Sequence, residues 1–199
     1  MGNARILCLG DSNTYGFDPR SCFGIRYPTD IHWVGRLQHL GWGCINCGQN
    51  GLQIPRPEEY NIYLDLIKSK EPVDLIIVML GSNDLLTGDT ADTVTSRMDE
   101  FLVFMRKTLP KELILLIAPP QMNFGEWVNN KKIISESSKI GECYRLIAVQ
   151  QQVAFVDANL WNVDLSFDGV HFSPEGHAAF AAGMQGILEQ ILNTDCKCI

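Results

Sequence analysis

The sequence predicts an α/β protein, a three-layer α/β/α sandwich built on a five-stranded parallel sheet. Two observations predict it. Runs of almost unbroken apolar residues at 6–9, 73–80 and 113–118 suit strands buried on both faces. Between and after them lie segments whose apolar residues recur in steps of three and four, so strand and helix alternate along the chain. That order implies a parallel sheet with right-handed crossovers. All 199 residues read as one domain, 1–199, with no repeat or linker-like stretch.

The elements follow in order. Ile6-Leu7-Cys8-Leu9 is a buried strand that stops abruptly at Gly10-Asp11-Ser12-Asn13. A loop over 17–28, rich in Gly, Pro and aromatic residues, leads to Thr29, the expected N-cap of a helix with Ile31, Val34, Leu37 and Leu40 on one face and Gly41 at its end. A second strand over 43–47 runs into the polar turn Gly48-Gln49-Asn50-Gly51. Pro57 opens a second helix, with Tyr60, Tyr63, Leu64 and Ile67 facing inward. After the strand at 73–80, Val94, Met98, Phe101, Leu102, Met105 and Leu109 mark a third helix closed by Pro110. Beyond the strand at 113–118, Ile140, Tyr144, Ile147, Ala148 and Gln151 give a helical face, and 153–156 is a fifth strand. Ser173 as N-cap and Pro174 at the first position begin the last helix, which carries Met184, Ile187, Leu188, Ile191 and Leu192.

Composition narrows the function classes. Apolar residues make up 46% and charged residues 20%, the balance of a soluble globular protein. A formal charge of -7 with scattered basic residues supplies no face for phosphate backbones, so no nucleic-acid partner is expected. No apolar run reaches the roughly 20 residues of a membrane span, and Met1 to Arg5 leading directly into the first strand makes a signal peptide unexpected. A cytoplasmic protein without a membrane partner is expected, and a homo-oligomer is left open. The seven cysteines are odd in number and scattered, as reduced thiols are. Cys44-x-x-Cys47 falls on a strand, where residues three apart face opposite sides, which argues against a metal or redox pair. No metal or other cofactor is expected.

Ser12, Gly51 and Gly81-Ser82-Asn83-Asp84 all follow strands, so the topology collects them at one carboxyl edge, where ligands bind in open parallel sheets. Alone, the Ser12 stretch reads as a helix cap with turn formers on either side. The other polar signals change its weight. Asn83, delivered by the most apolar strand, offers two amide donors suited to a forming oxyanion, and a glycine such as Gly51 lets its N–H approach a ligand closely. Asp168-x-x-His171, flanked by Phe167 and Phe172 just before a capped helix, can set a carboxylate on one imidazole nitrogen and leave the other free as a base. A serine needs such a base. His32, His39 and His177 lack that setting and read as bystanders.

In this order, Gly10-Asp11-Ser12, a glycine after the second strand, Gly81-x-Asn83-Asp84 and Asp168-x-x-His171 resemble the SGNH, or GDSL-type, esterase and lipase family over nearly the whole chain. Gly-Asp-Ser-Asn-Thr-Tyr-Gly-Phe, followed by Tyr27-Pro28 and Trp33, is most similar to its aryl-esterase and acyltransferase branch. The Gly-x-Ser-x-Gly elbow of ordinary α/β-hydrolases is missing, which disfavours that fold.

The resemblance implies a flavodoxin-like SGNH fold. It makes Ser12 the nucleophile, His171 the general base and then acid, and Asp168 the group that orients it. It also implies an oxyanion hole made by the N–H of Ser12, the N–H of Gly51 and the side chain of Asn83. Gly51 is preferred to Gly48 by matching Asn46-x-x-x-x-Gly51. Asp11 and Asp84 become structural supports, and Tyr15, Phe17, Trp127 and Phe172 are the candidate substrate-binding residues. The long segments 17–28 and 119–135 shape either a pocket or subunit contacts.

The expected reaction is metal-free acyl transfer from a small ester with a short acyl group, to water or an alcohol. Its rate should fall as pH drops through roughly 6 to 7. Two alternatives stay open: a carbohydrate O-acetyl esterase with the same triad, and a non-catalytic module whose Ser12 turn holds a phosphate or cofactor.

Overall fold

The structure, a computed structural model, describes residues 4–21, 23–109 and 114–193. Pro110 and Leu113, expected at a helix end and a strand start, lie outside the described residues, as does the cysteine-bearing tail. Five strands, β1 (Arg5–Gly10), β2 (Gly43–Gly48), β3 (Leu75–Met79), β4 (Ile114–Ala118) and β5 (Ala154–Asp157), form one sheet in the order β2-β1-β3-β4-β5. All neighbours are parallel. Every residue of β3 and β4 is buried, which is why these stretches are apolar without alternation.

The helices are α1 (Ser12–Tyr15), α2 (Trp33–His39), α3 (Tyr60–Lys68), α4 (Ser82–Leu86), α5 (Ala91–Thr108), α6 (Lys131–Ser137), α7 (Ile140–Gln151) and α8 (Pro174–Asn193). They pack as two outer layers. Leu7 and Leu9 of β1 face a core shared with α3, α5 and α7, whereas Ile6 and Cys8 face a core shared with α2 and α8. This is the two-residue period of a strand. Cys44 and Cys47 obey it too, one in each core.

The predicted fold class holds, and the local differences have physical reasons. The first full helix begins at Trp33 rather than after Thr29. The carbonyl of Pro28 accepts the N–H groups of Ile31 and His32, closing a turn there, and the His32 Nδ1 caps α2 by accepting from the N–H of Gly35 at 3.0 Å. Leu40 consequently falls past the helix and is exposed. Pro57 opens a 3-10 turn (Pro57–Glu59) that feeds α3. α6 begins inside the segment expected to be loop, 119–135, and runs two residues past it; Asn130 caps it, its side chain accepting from the N–H of Lys132 at 2.9 Å. At the last helix the expected cap is present, Ser173 Oγ accepting from the N–H of Gly176 at 3.0 Å. No helix among the described residues is long and apolar enough to cross a membrane.

This order places a topological switch at β1, with β2 on one side and β3 to β5 on the other. In register, Gly10 stands beside Gly48 and beside Met79. The loops that follow β1, β2 and β3 therefore emerge level and adjacent, bringing Ser12, Gly51 and Asn83 to one mouth.

Candidate active site

β1 is continuous with the site's first element. Gly10 leaves no room for a side chain, since a Cβ there would stand 2.1 Å from Thr14 Oγ1 and 2.9 Å from the Met79 carbonyl oxygen. The chain can therefore turn tightly into α1. Asp11 caps that helix, its Oδ1 accepting from the N–H of Asn13 at 2.9 Å. Burial pushes the Asp11 carboxyl up to about 6. Ser12 is the first residue of α1, so its own N–H has no acceptor inside the helix.

The loop before α8 brings Asp168 and His171. Asp168 Oδ1 accepts the backbone N–H groups of Val170 and His171, both at 2.9 Å, which curls the loop around the carboxylate. Its Oδ2 lies 2.7 Å from His171 Nδ1, and His171 Nε2 lies 2.9 Å from Ser12 Oγ. Burial raises the Asp168 carboxyl, but the His171 ring and the two N–H groups outweigh it and hold the group below the ordinary carboxylate range. An ionised carboxylate only accepts, so the imidazole proton belongs on Nδ1 and Nε2 accepts the hydroxyl hydrogen of Ser12. The three side chains are almost fully buried.

The segment over 119–135 fastens this loop from outside. The N–H groups of Asn123, Glu126 and Trp127 donate to the carbonyls of Gly169, Phe167 and Asp168 at 3.0, 3.2 and 3.1 Å. Gly125 passes so close that a Cβ would stand 2.2 Å from the Asp168 carbonyl carbon. Trp127 is thereby set edge-on to His171 with ring centroids 4.9 Å apart, while Phe17 packs on the imidazole at 4.6 Å. Trp127 remains 52% exposed, so its outer face meets solvent.

On the opposite side, Asn83 Nδ2 donates one hydrogen to the Leu52 carbonyl at 3.0 Å. Its second hydrogen has no partner among the described residues. Gly51 and Asn83 share the walls of an open cleft with Gln49, Asn50, Gln53 and Thr87. Gly51 has φ +74°, the left-handed region that favours glycine. Asp84 supports both loops from below, accepting from the N–H of Ile54 at 3.1 Å and pairing with Arg97, which also reaches Asp89 at 2.9 Å.

The structure thus brings Ser12, Asp168 and His171 into hydrogen-bonded contact and sets Gly51 and Asn83 on adjacent loops. Phe17 and Trp127, two of the candidate substrate-binding residues, flank the imidazole. Two other candidates stand elsewhere. Phe172 is completely buried against His177 and Phe180: it bridges to Leu165 in extended backbone, where neighbours alternate sides, so with His171 facing Ser12 its ring enters the core. Tyr15 carries the Arg26 guanidinium 4.1 Å over its ring, so that face is already occupied.

Sequence reasoning missed four contributors. Gly125 stands in a segment it left undecided, and close backbone approach is the one signal its glycine offers. His32 and His177 both accept N–H groups at the start of α2, the latter from Trp33 at 3.4 Å, and so are parts of the scaffold beneath the site. Asn13 looked like a turn former, but its side chain bonds the backbone on both sides of His171.

The profile of the GDSL-like lipase/acylhydrolase family matches residues 8–179. No curated protein sequence matches the chain significantly. Among solved structures, a carbohydrate acetylesterase family member from Sinorhizobium meliloti is similar at 25% identity with a TM-score of 0.80, over 96% of this chain and 99% of that one. A putative arylesterase from Agrobacterium tumefaciens str. C58 is similar at 25% identity and a TM-score of 0.80, over 94% and 99%. The aryl esterase of M. smegmatis shares the fold, with 23% identity and a TM-score of 0.81 over 94% and 99%.

Proposed function

The chain belongs to the GDSL-like lipase/acylhydrolase family, and on that premise we propose that it is a serine esterase acting on small carboxylic esters with short acyl groups. The observation that carries the reading is the unbroken relay from Ser12 Oγ to His171 Nε2 at 2.9 Å and from His171 Nδ1 to Asp168 Oδ2 at 2.7 Å. Its geometry suits nucleophilic catalysis.

Ser12 Oγ attacks the ester carbonyl carbon while His171 Nε2 takes the hydroxyl proton. The resulting imidazolium is stabilised by the ionised Asp168. As the tetrahedral intermediate collapses, the bond to the alcohol oxygen breaks and His171 returns the proton to that oxygen, leaving an acyl-Ser12 ester. Water, or a second alcohol, then attacks the acyl carbon with His171 again as base, and Ser12 recovers its proton. The oxyanion is met by the N–H of Ser12, the N–H of Gly51 and the uncommitted hydrogen of Asn83 Nδ2. One such donor is worth roughly 3 to 4 kcal/mol of barrier.

A second reading, removal of O-acetyl groups from sugars, is favoured by the polar cleft walls formed by Gln49, Asn50, Gln53 and Thr87. Comparing kcat/KM on acetylated xylose with that on aryl acetates separates the two. The common reading is tested with p-nitrophenyl acetate: Ser12→Ala and His171→Ala should lose nearly all turnover while melting as wild type does, and His39→Ala should keep it. Wild-type turnover in both triad variants would refute it.

A further inference from the structure

We propose that Asn13 is a positioning residue that holds the His171 imidazole in line with Ser12, a role that rests on the esterase reading above. Asn13 is the residue after Ser12 and is 4% exposed. Its Oδ1 accepts the N–H of Phe172 at 2.9 Å, and its Nδ2 donates to the carbonyl of Val170 at 3.1 Å. These two groups flank His171 in the chain.

In extended backbone, the carbonyl before a residue and the N–H after it point to the same side, and a neighbouring strand would normally pair with both. A side-chain amide is the one group that presents a donor and an acceptor in the same spacing as a peptide. The opposite edge is held as well: the His171 N–H donates to Asp168 Oδ1 at 2.9 Å, and the His171 carbonyl accepts from the N–H of Ser166 at 2.7 Å. Asn13 is itself fixed, its N–H on Asp11 Oδ1 at 2.9 Å and its carbonyl accepting from Trp33 Nε1 at 3.1 Å. Nucleophile and base, 159 positions apart in the chain, are therefore joined through one immobilised side chain.

A hydrophobic residue at this position would leave the Val170 carbonyl and the Phe172 N–H without their partner and let the loop drift. Because the transfer distance is 2.9 Å, a shift of about 1 Å is enough to cost up to ~100-fold in rate.

The test uses the full chain with Asn13→Ala and Asn13→Leu. Thermal melting identifies conditions in which both are folded, and kcat and KM on p-nitrophenyl acetate are measured there, with the low-field proton NMR signal of the His171 Nδ1 hydrogen. The expected result is a kcat reduced ~10- to 100-fold, a KM within about twofold of wild type, and a shifted or broadened Nδ1 signal. If neither variant folds, Asn13→Asp, which keeps the acceptor for Phe172, is measured against the same expectation. Wild-type kcat in folded variants, or a lost rate with an unmoved Nδ1 signal, overturns the proposal. A wild-type protein with no turnover sinks the esterase reading instead, and the NMR signal still reports whether Asn13 holds the ring.

Discussion

Acidification should weaken this protein through two imidazoles that the mechanism does not use. His32 and His177 are buried, and each Nδ1 must stay unprotonated to accept an N–H at the start of α2, from Gly35 and Trp33. Burial, reinforced by Arg26 beside His32 and by His32 and Arg36 beside His177, depresses them to about 4 and about 3. Unfolded histidines titrate near 6.5, so the contribution is intact above that value and drains away as pH falls from 6.5 toward the folded values. At pH 5.0 each imidazole withdraws about 2 kcal/mol relative to pH 7.5.

Asp11 acts in the opposite sense. Raised to about 6 from an ordinary 3.8, it takes up a proton in the folded state first and returns about 1.3 kcal/mol over the same interval. Asp84, also pushed up by burial, adds to that return. The net loss is thus about 2 to 3 kcal/mol at most, a large share of the roughly 5 to 15 kcal/mol of a typical domain. Urea unfolding at pH 7.5 and 5.0 measures it. His32→Asn keeps a capping acceptor that does not titrate, so its pH dependence should shrink by about 2 kcal/mol. Wild-type stability that stays flat or rises toward pH 5.0, or a slope unchanged in His32→Asn, would refute this reasoning.

Three further outcomes are expected. Asn83→Ala should lower kcat on p-nitrophenyl acetate by about 10²- to 10³-fold, and a loss under threefold would remove Asn83 from the oxyanion hole. Gly125→Ala should lower both melting temperature and kcat, because its Cβ would stand 2.2 Å from the Asp168 carbonyl carbon; a variant with wild-type values would show that the loop has slack. Arg97→Leu should cost about 3 to 5 kcal/mol in urea unfolding, since it strands the fully buried Asp84 carboxylate, and an unchanged midpoint would contradict that.

Much of this was legible in the residues. Strands buried on both faces must be continuously apolar, so β3 and β4 announced themselves, and Ser12 and Asn83 followed from standing just beyond strand ends. Asp168 and His171 were readable because a three-residue step inside one turn is local geometry. What escaped depends on groups that meet only in the folded chain. The cap of α2 is a histidine, outside the usual Ser, Thr, Asp and Asn set, so the helix start was placed too early at Thr29. Phe172 is adjacent to a site residue yet faces the core, because extended backbone alternates sides. Asn13 and Gly125 act on a loop more than 40 positions away, and neither periodicity nor capping rules register such a contact.

The central claim is that Ser12 becomes a nucleophile because His171, held by Asp168, removes its proton. Intact-protein and peptide mass spectrometry after exposure to a serine-directed fluorophosphonate measures this without assuming any natural ester. The account predicts a single adduct on the peptide containing Ser12, absent in Ser12→Ala and formed far more slowly in His171→Ala. An unlabelled wild-type protein, or an adduct that forms as fast without His171, would contradict it.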